Sequence, residues 1–174
     1  AIRPLVARPL RFFRIATLGL GVLVVACAGK DPAVYDRTEA QRLFSTGYQN
    51  ISEIYIDQVD VRSLALAGLE RIERVDPDVA IERSSDAITV QVDGAPPRAF
   101  ALPRGDHPAD WARLTAKVLD ASLQRSRTLD QTSAEKLYDA VFEGVLTRLD
   151  RFSRYAGASE ARRNRANRDG FGGI

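Results

Sequence analysis

Few side chains in this sequence combine the types and the spacing that catalysis requires. A serine nucleophile needs a general base beside it, and a lysine can serve as that base only where burial lowers the pKa of its amine. Ser153 lies in a polar turn without such a base, and a turn hydroxyl bonded to the backbone is the simpler interpretation. The sequence has three lysines. Lys30 lies in a linker, and Lys117 and Lys136 lie on amphipathic helices, where water reaches their amines. We therefore predict no catalytic residue in this chain.

The single histidine, His107, stands near two acidic residues, Asp106 and Asp110, in the stretch RGDHPAD. Metal sites built around histidine usually take three or four ligands from His, Cys, Asp and Glu, and no cysteine lies nearby. A loop that leads into a helix cap explains these residues better. We predict no metal site and no cofactor.

The first thirty residues have the pattern of an export signal. The first fourteen positions hold no acidic residue and four arginines: Arg3, Arg8, Arg11 and Arg14. The apolar run that follows, residues 15–26, is shorter than the roughly twenty residues of a membrane-spanning helix. We predict a signal peptide over residues 1–27 and a linker over residues 28–38.

The signal ends in Val24-Val25-Ala26-Cys27, which resembles the lipobox of bacterial lipoproteins. The resemblance implies lipidation of Cys27, cleavage before it, and a periplasmic protein anchored to a membrane; Ala28 favours the outer one. The alternative is an ordinary signal peptide in which Cys27 is incidental. Cys27 is the only cysteine, so no intrachain disulfide can form.

Composition and charge limit the classes of protein further. The 174 residues are 45% hydrophobic and 28% charged, which suits one ordinary globular domain or two small ones. Without the four arginines of the first fourteen residues, 21 basic residues stand against 23 acidic ones. The late run ARRNRANRDG fits a solvated helix with cations near its C-terminus, whereas a nucleic-acid site would need aromatic partners in a basic surround. We predict no nucleic-acid partner.

Hydrophobic periodicity predicts four main helices. The first begins near Glu39, and Asp60 can cap the second, in which Gly68 indicates close helix packing. The third covers residues 109–125. The fourth begins at a capping box, Thr132-Ser133-Ala134-Glu135, and continues to Leu149.

Between the second and third helices the period changes to two, which is typical of strands. VAIER and AITVQV flank Ser84-Ser85-Asp86 as a hairpin, and RAFALP can add a third strand. The predicted fold class is α+β, mainly α-helical. A helical domain over residues 39–158 carries a small antiparallel β insertion at about 79–103, and residues 159–174 form a helix and the start of a strand.

Two segments resemble the N-terminal region of the carboxyl-terminal processing peptidases, which are tail-specific serine proteases with a Ser/Lys dyad. The pattern Gly-x-Leu-x-x-Leu-Asp-x-x-Ser-x-Tyr is formed by Gly144, Leu146, Leu149, Asp150, Ser153 and Tyr155. A helix then leads to Phe171-Gly172-Gly173-Ile174, similar to the family's Gly-x-Phe-x-Gly-Ile-Gly strand, with Phe171 and Gly173 in matching places. The upstream match to Tyr-x-x-Ile-x-x-x-Tyr-Val-Asp consists of Tyr48, Ile51, Tyr55 and Asp57. The resemblance covers residues 44–60 and 141–174.

The sequence departs from the family at two places. The family's Pro-His is Arg151-Phe152 here, and the first glycine of the strand motif falls one place late, at Gly170. Both positions are structural in the family, so the implied chemistry is unaffected.

The resemblance implies an exported serine endopeptidase that acts on proteins with exposed C-terminal tails. Its dyad would lie beyond a PDZ domain, past Ile174. The absence of methionine and the first residue, Ala1, likewise indicate part of a longer chain, which we expect to be inactive alone. The alternative is a non-enzymatic periplasmic lipoprotein that acts as a scaffold or binding module. We also expect residues 170–174 to be disordered or loosely extended without the PDZ–protease body.

Overall fold

The computed structural model describes residues 34–150 and 153–170, which form six α-helices, one 3-10 turn and three strands. The helices are α1 (Arg37–Ile54), α2 (Val61–Glu70), α3 (Pro108–Leu123), α4 (Arg127–Asp130), α5 (Ala134–Leu146) and α6 (Ala158–Gly170). The strands are β1 (Val79–Arg83), β2 (Ala87–Val92) and β3 (Arg98–Ala101), and the 3-10 turn is Arg71–Arg74. The predicted fold class, α+β and mainly helical, is confirmed.

Short polar side chains begin most of these helices. The carboxylate of Asp36 accepts from the Glu39 amide at 2.7 Å, and Asp60 caps α2 as the sequence predicted. The predicted capping box at α5 is wrong. Ser133, not Thr132, is the N-cap, and the Glu135 carboxylate binds Ser159 instead of the start of its own helix.

The three strands form one antiparallel sheet in the order β1-β2-β3. Val79 pairs with Val92 and Ile81 with Val90, so the apolar residues of the hairpin share one buried face. Ser84 closes the hairpin: its amide and hydroxyl both donate to the Ala87 carbonyl. Gly94, with φ +72°, makes the next turn, where a residue without a side chain is favoured. The predicted strands are confirmed.

One hydrophobic core joins the sheet to α1, α2, α3 and α5. Trp111 is fully buried, and its indole N–H donates to the Gly105 carbonyl at 2.8 Å. The buried hydroxyls of Tyr48 and Thr115 bond each other at 3.0 Å between α1 and α3. These contacts give partners to the Trp111, Tyr48 and Thr115 side chains within the core, whereas the buried Tyr138 hydroxyl has none among the described residues.

Helices α2 and α5 cross where both carry glycine. A Cβ on Gly144 would overlap the Ala67 carbonyl oxygen and lie 2.8 Å from the Gly68 Cα. A Cβ on Gly68 would lie 3.0 Å from the Val141 carbonyl oxygen. The prediction that Gly68 serves close helix packing is confirmed, and its counterpart is Gly144.

Some sequence predictions concern residues at the edge of the described ranges or outside them. Gly170 is the last residue of α6, so its assignment to the start of a strand, in a disordered or loosely extended segment, is wrong. Phe171 and Gly173 lie outside the described residues, as do Cys27 and the whole predicted signal peptide. Over the described ranges, no helix combines the length and apolar character needed to cross a bilayer.

Candidate functional site

The chain turns back after α5 and runs antiparallel along that helix towards its start. The Tyr155 ring stacks on the Phe142 ring, with centroids 4.3 Å apart and planes 15° apart. Ser159 then reaches Glu135, one carboxylate oxygen of which accepts from the Ser159 amide and the other from its hydroxyl, both at 2.7 Å. We call residues 153–157 the return segment. It forms a third wall beside α1 and α5.

A polar clip, formed by Tyr55, Asp150 and Ser153, closes this turn. The Tyr55 hydroxyl donates to Asp150 Oδ2 at 3.0 Å and accepts from the Asp150 amide at 2.9 Å. The Ser153 amide and hydroxyl donate to the two carboxylate oxygens of Asp150, both at 2.9 Å. The hydroxyl of Ser153 thus bonds a carboxylate, so the expectation that it bonds the turn backbone is wrong.

The clip positions the chain but has no apparatus for nucleophilic catalysis. Partial burial, and then the hydrogen bond to Asp150, raise the pKa of Tyr55, so its phenol stays a neutral donor at neutral pH. The lysines that the structure describes, Lys117 and Lys136, are exposed on α3 and α5. Among the described residues, no lysine or histidine bonds Ser153.

An open apolar groove of about 570 Å³ lies between α1, the end of α5 and the return segment. Its size falls within the usual range of ligand sites. Its apolar walls are formed by Leu43, Ile51, Ile54, Phe142, Leu146, Leu149 and Tyr155. Polar groups also line it: Thr46, Asn50, Tyr55, Ser153 and Arg154.

The groove exists because α1 has two apolar faces. One face, with Phe44 and Tyr48, enters the core, while a second stripe at helical spacing, Leu43-Gly47-Ile51-Ile54, lines the groove. Gly47 lets the Phe142 ring approach, since a Cβ there would lie 2.6 Å from Phe142 Cε1. Ile54 of the groove wall is 77% exposed, and Ile56, two residues later in the chain, is 92% exposed. The described residues thus leave a large apolar surface uncovered at this end of α1.

The residues that carried the family resemblance take different places around the groove. Leu149 and Tyr155 line it, Asp150 and Ser153 form the clip with Tyr55, and Gly144 lies behind it in the α2–α5 contact. The two resembling segments, 95 residues apart in sequence at Tyr55 and Asp150, therefore meet in space. Cys27, Phe171 and Gly173 are outside the described residues.

Sequence reasoning missed three features of this region. It did not predict the groove, although the spacing of Leu43, Gly47, Ile51 and Ile54 signals a second apolar face. It gave no role to Arg154. It also missed that Asp106 binds the start of α2, where its carboxylate accepts from the amides of Val61 and Arg62 at 3.1 and 2.8 Å.

His107 begins α3 through its backbone, without a side-chain cap bond. Within the part of the chain that is described, no group of three or more His, Cys, Asp or Glu side chains is placed to hold a metal ion.

Comparison with known proteins identifies no relative of this chain. No family model, curated protein or solved structure matches the chain. The resemblance to the processing peptidases accordingly rests on the residues quoted above.

Proposed function

We propose that this chain is the N-terminal helical region of an exported serine endopeptidase, of the carboxyl-terminal processing type, which cleaves proteins at or near their C-terminal tails. This region has a structural and regulatory role, and the Ser/Lys dyad belongs to a later part of the protein. A PDZ domain would lie between the two.

One observation carries the proposal. The two separate segments that resemble the family bond each other through two of their motif residues, Tyr55 and Asp150, and a third motif residue, Ser153, bonds the same Asp150. A chance likeness of two short segments gives no reason for the matched polar residues to be mutual partners. The tight place of Gly144 against α2 likewise gives a physical reason for glycine at a motif position.

The character of α6 also supports a following domain. Residues 162–168 of this helix are all exposed, and four of them are arginine. A helix that is polar on all sides commonly bridges domains through solvent. We propose that α6 connects the helical body to the PDZ domain.

The test is to read the gene beyond Ile174 and to assay the longer protein. We expect a PDZ-like stretch followed by the Ser/Lys pair, and cleavage of a reporter protein that has a disordered C-terminal tail. Alanine at the dyad serine should abolish cleavage, and the present 174 residues alone should show none. Cleavage by these residues alone would contradict the proposed place of the dyad.

Membrane attachment through Cys27 forms part of the proposal. Two acyl chains on one cysteine would hold the protein firmly, because each buried methylene contributes about 0.8 kcal/mol. Metabolic labelling with a fatty acid should mark the wild-type protein, and Cys27→Ala should remove the mark. An unlabelled wild-type protein would instead indicate an ordinary signal peptide and a soluble periplasmic product.

A non-enzymatic lipoprotein that acts as a scaffold is the second candidate. The open groove favours it, because a binding surface needs no catalytic partner. A stop codon soon after Ile174, or loss of the Ser/Lys pair, would decide for this candidate.

A further inference from the structure

We propose that the groove between α1, α5 and the return segment is an accessory site that binds the apolar C-terminal tail of another protein, in extended form, with the terminal carboxylate at Arg154. The inference rests on the proposed function for the identity of this tail as substrate. It adds a substrate site on the helical region itself, away from any dyad.

Apolar side chains are the first requirement, and the groove accepts them along its length. Leu43, Ile51 and Ile54 of α1 line it, together with the stacked rings of Phe142 and Tyr155. Burial of apolar surface gives about 25 cal/mol per Å², so covering these residues would drive association.

Two polar side chains of the groove favour an extended peptide over other apolar ligands. Thr46 and Asn50 line the groove, and neither side chain has a hydrogen-bond partner among residues 34–150 and 153–170. An extended peptide needs partners for its backbone N–H and C=O groups, which a threonine hydroxyl and an asparagine amide can supply. An amphipathic helix satisfies its own backbone, and a fatty-acid chain has no such groups along its length, so both would leave Thr46 and Asn50 unused.

Charge gives the tail its direction. Among the described residues that line the groove, Arg154 is the one that carries a charge. It is exposed and has neither an ion pair nor a hydrogen bond within the described parts of the chain. A guanidinium pairs with a carboxylate through two parallel hydrogen bonds, and a protein tail ends in one carboxylate.

The length of the groove sets the length of the tail. From Leu43 to Ile54 the α1 wall rises about 16 Å at 1.5 Å per residue. An extended peptide covers this distance with about five residues at 3.3 Å each. The site therefore suits the last four or five residues of a tail.

The test uses the full chain and an N-terminally fluorescein-labelled peptide, Gly-Ser-Gly-Ser-Val-Leu-Ala-Val, with a free carboxylate. We expect saturable binding by fluorescence anisotropy. Amidation of the peptide, or the Arg154→Ala variant, should each weaken binding about tenfold or more, because each removes a hydrogen bond between charged groups. In Arg154→Ala, amidation should have no additional effect, since both changes remove the same contact. Arg165 is an exposed arginine on α6, so the Arg165→Ala variant is the matched control and should bind the peptide like the wild type.

Several results would overturn the inference. The first is that the peptide shows no saturable binding, and the second is that the free and amidated peptides bind equally well. The third is that lauric acid binds with the same dependence on Arg154 while the peptide does not bind. A dimer that Ile54→Asp dissociates would show that a second copy occupies the groove. Tail cleavage by the longer protein, with KM unchanged by Arg154→Ala, would overturn this inference and leave the proposed function intact. Peptide binding here, together with loss of the dyad from the gene, would overturn only the proposed function.

Discussion

Gly144 shows how little space a single residue has where α2 meets α5. A Cβ at this position would overlap the Ala67 carbonyl oxygen, a backbone atom that cannot rotate away. We expect Gly144→Ala to lower the free energy of unfolding by about 1–3 kcal/mol, the usual cost of overpacking. Urea unfolding measures this change. Gly105→Ala is the control, because a Cβ there meets nothing within 4 Å, and equal midpoints for the two variants would contradict the tight contact.

Asp139 is a residue whose charge opposes folding. Its Oδ1 is buried and has no hydrogen-bond partner in the described structure. Burial first, and then the nearby carboxylates of Glu135, Glu143 and Glu160, raise the pKa of Asp139. Because the folded-state pKa is above the unfolded one, stability is greatest below the unfolded pKa and is lost as pH rises through the folded pKa.

We therefore expect Asp139→Asn to raise the free energy of unfolding at pH 7 and to have no stabilising effect well below the unfolded pKa. Denaturant unfolding at both pH values tests this expectation. Asp93→Asn, which removes a charge from an exposed turn, is the control and should change little at either pH. A destabilised Asp139→Asn at pH 7 would mean that the ionised carboxylate makes a favourable contact.

Within the described structure, the Glu135 carboxylate bonds the first turn of helix α6 to the body. The hydroxyl and then the amide of Ser159 lower the pKa of Glu135, with a smaller effect from Arg162 and Arg163. A lowered folded-state pKa gives stability that is present above the unfolded value and lost as pH falls through the folded one. Acidification should therefore loosen α6 at its N-terminus.

We expect Glu135→Gln to speed hydrogen exchange of the Ser159 and Ala161 amides at neutral pH and to abolish the acid-induced loosening. Glu143→Gln is the control on the same helix, because Glu143 bonds Arg71 and does not bond α6. Amide exchange followed by NMR measures both. If the two variants behave alike, the Glu135–Ser159 contact does not hold the helix.

At the level of elements, the sequence predicted what local patterns determine. The strands at Val79–Arg83 and Ala87–Val92 and the Asp60 cap follow from period and cap chemistry within a few residues. The capping box failed because Glu135 binds Ser159, 24 residues later, and no local rule includes such a partner. For the groove, the local spacing on α1 signals one apolar wall, but the groove itself exists only where α1, α5 and the return segment meet.

At the scale of the whole described structure, the helices α1, α2, α3 and α5 and the sheet form one body, and α6 follows at its edge. The core cluster contains residues of α1, α2, the sheet, α3 and α5, so none of these elements can lose its packing without exposing the others. The described hydrogen bonds between α6 and the body are at the start of the helix, at Ser159, and residues 162–168 are exposed. We therefore expect the body to unfold in one step, and α6 to exchange its amides before that step.

Trp111 provides the measurement, because it is the only tryptophan of the chain, is fully buried and touches the shared core. Unfolding in urea should give the same midpoint by tryptophan fluorescence and by far-ultraviolet circular dichroism, since both report the loss of one body. Trp111→Phe, which removes the fluorescence and the indole bond to Gly105, should lower the midpoint measured by circular dichroism while one transition remains. Two separate transitions in the wild-type protein would mean that the sheet or α1 melts independently, because fluorescence would then report only the part that packs around Trp111.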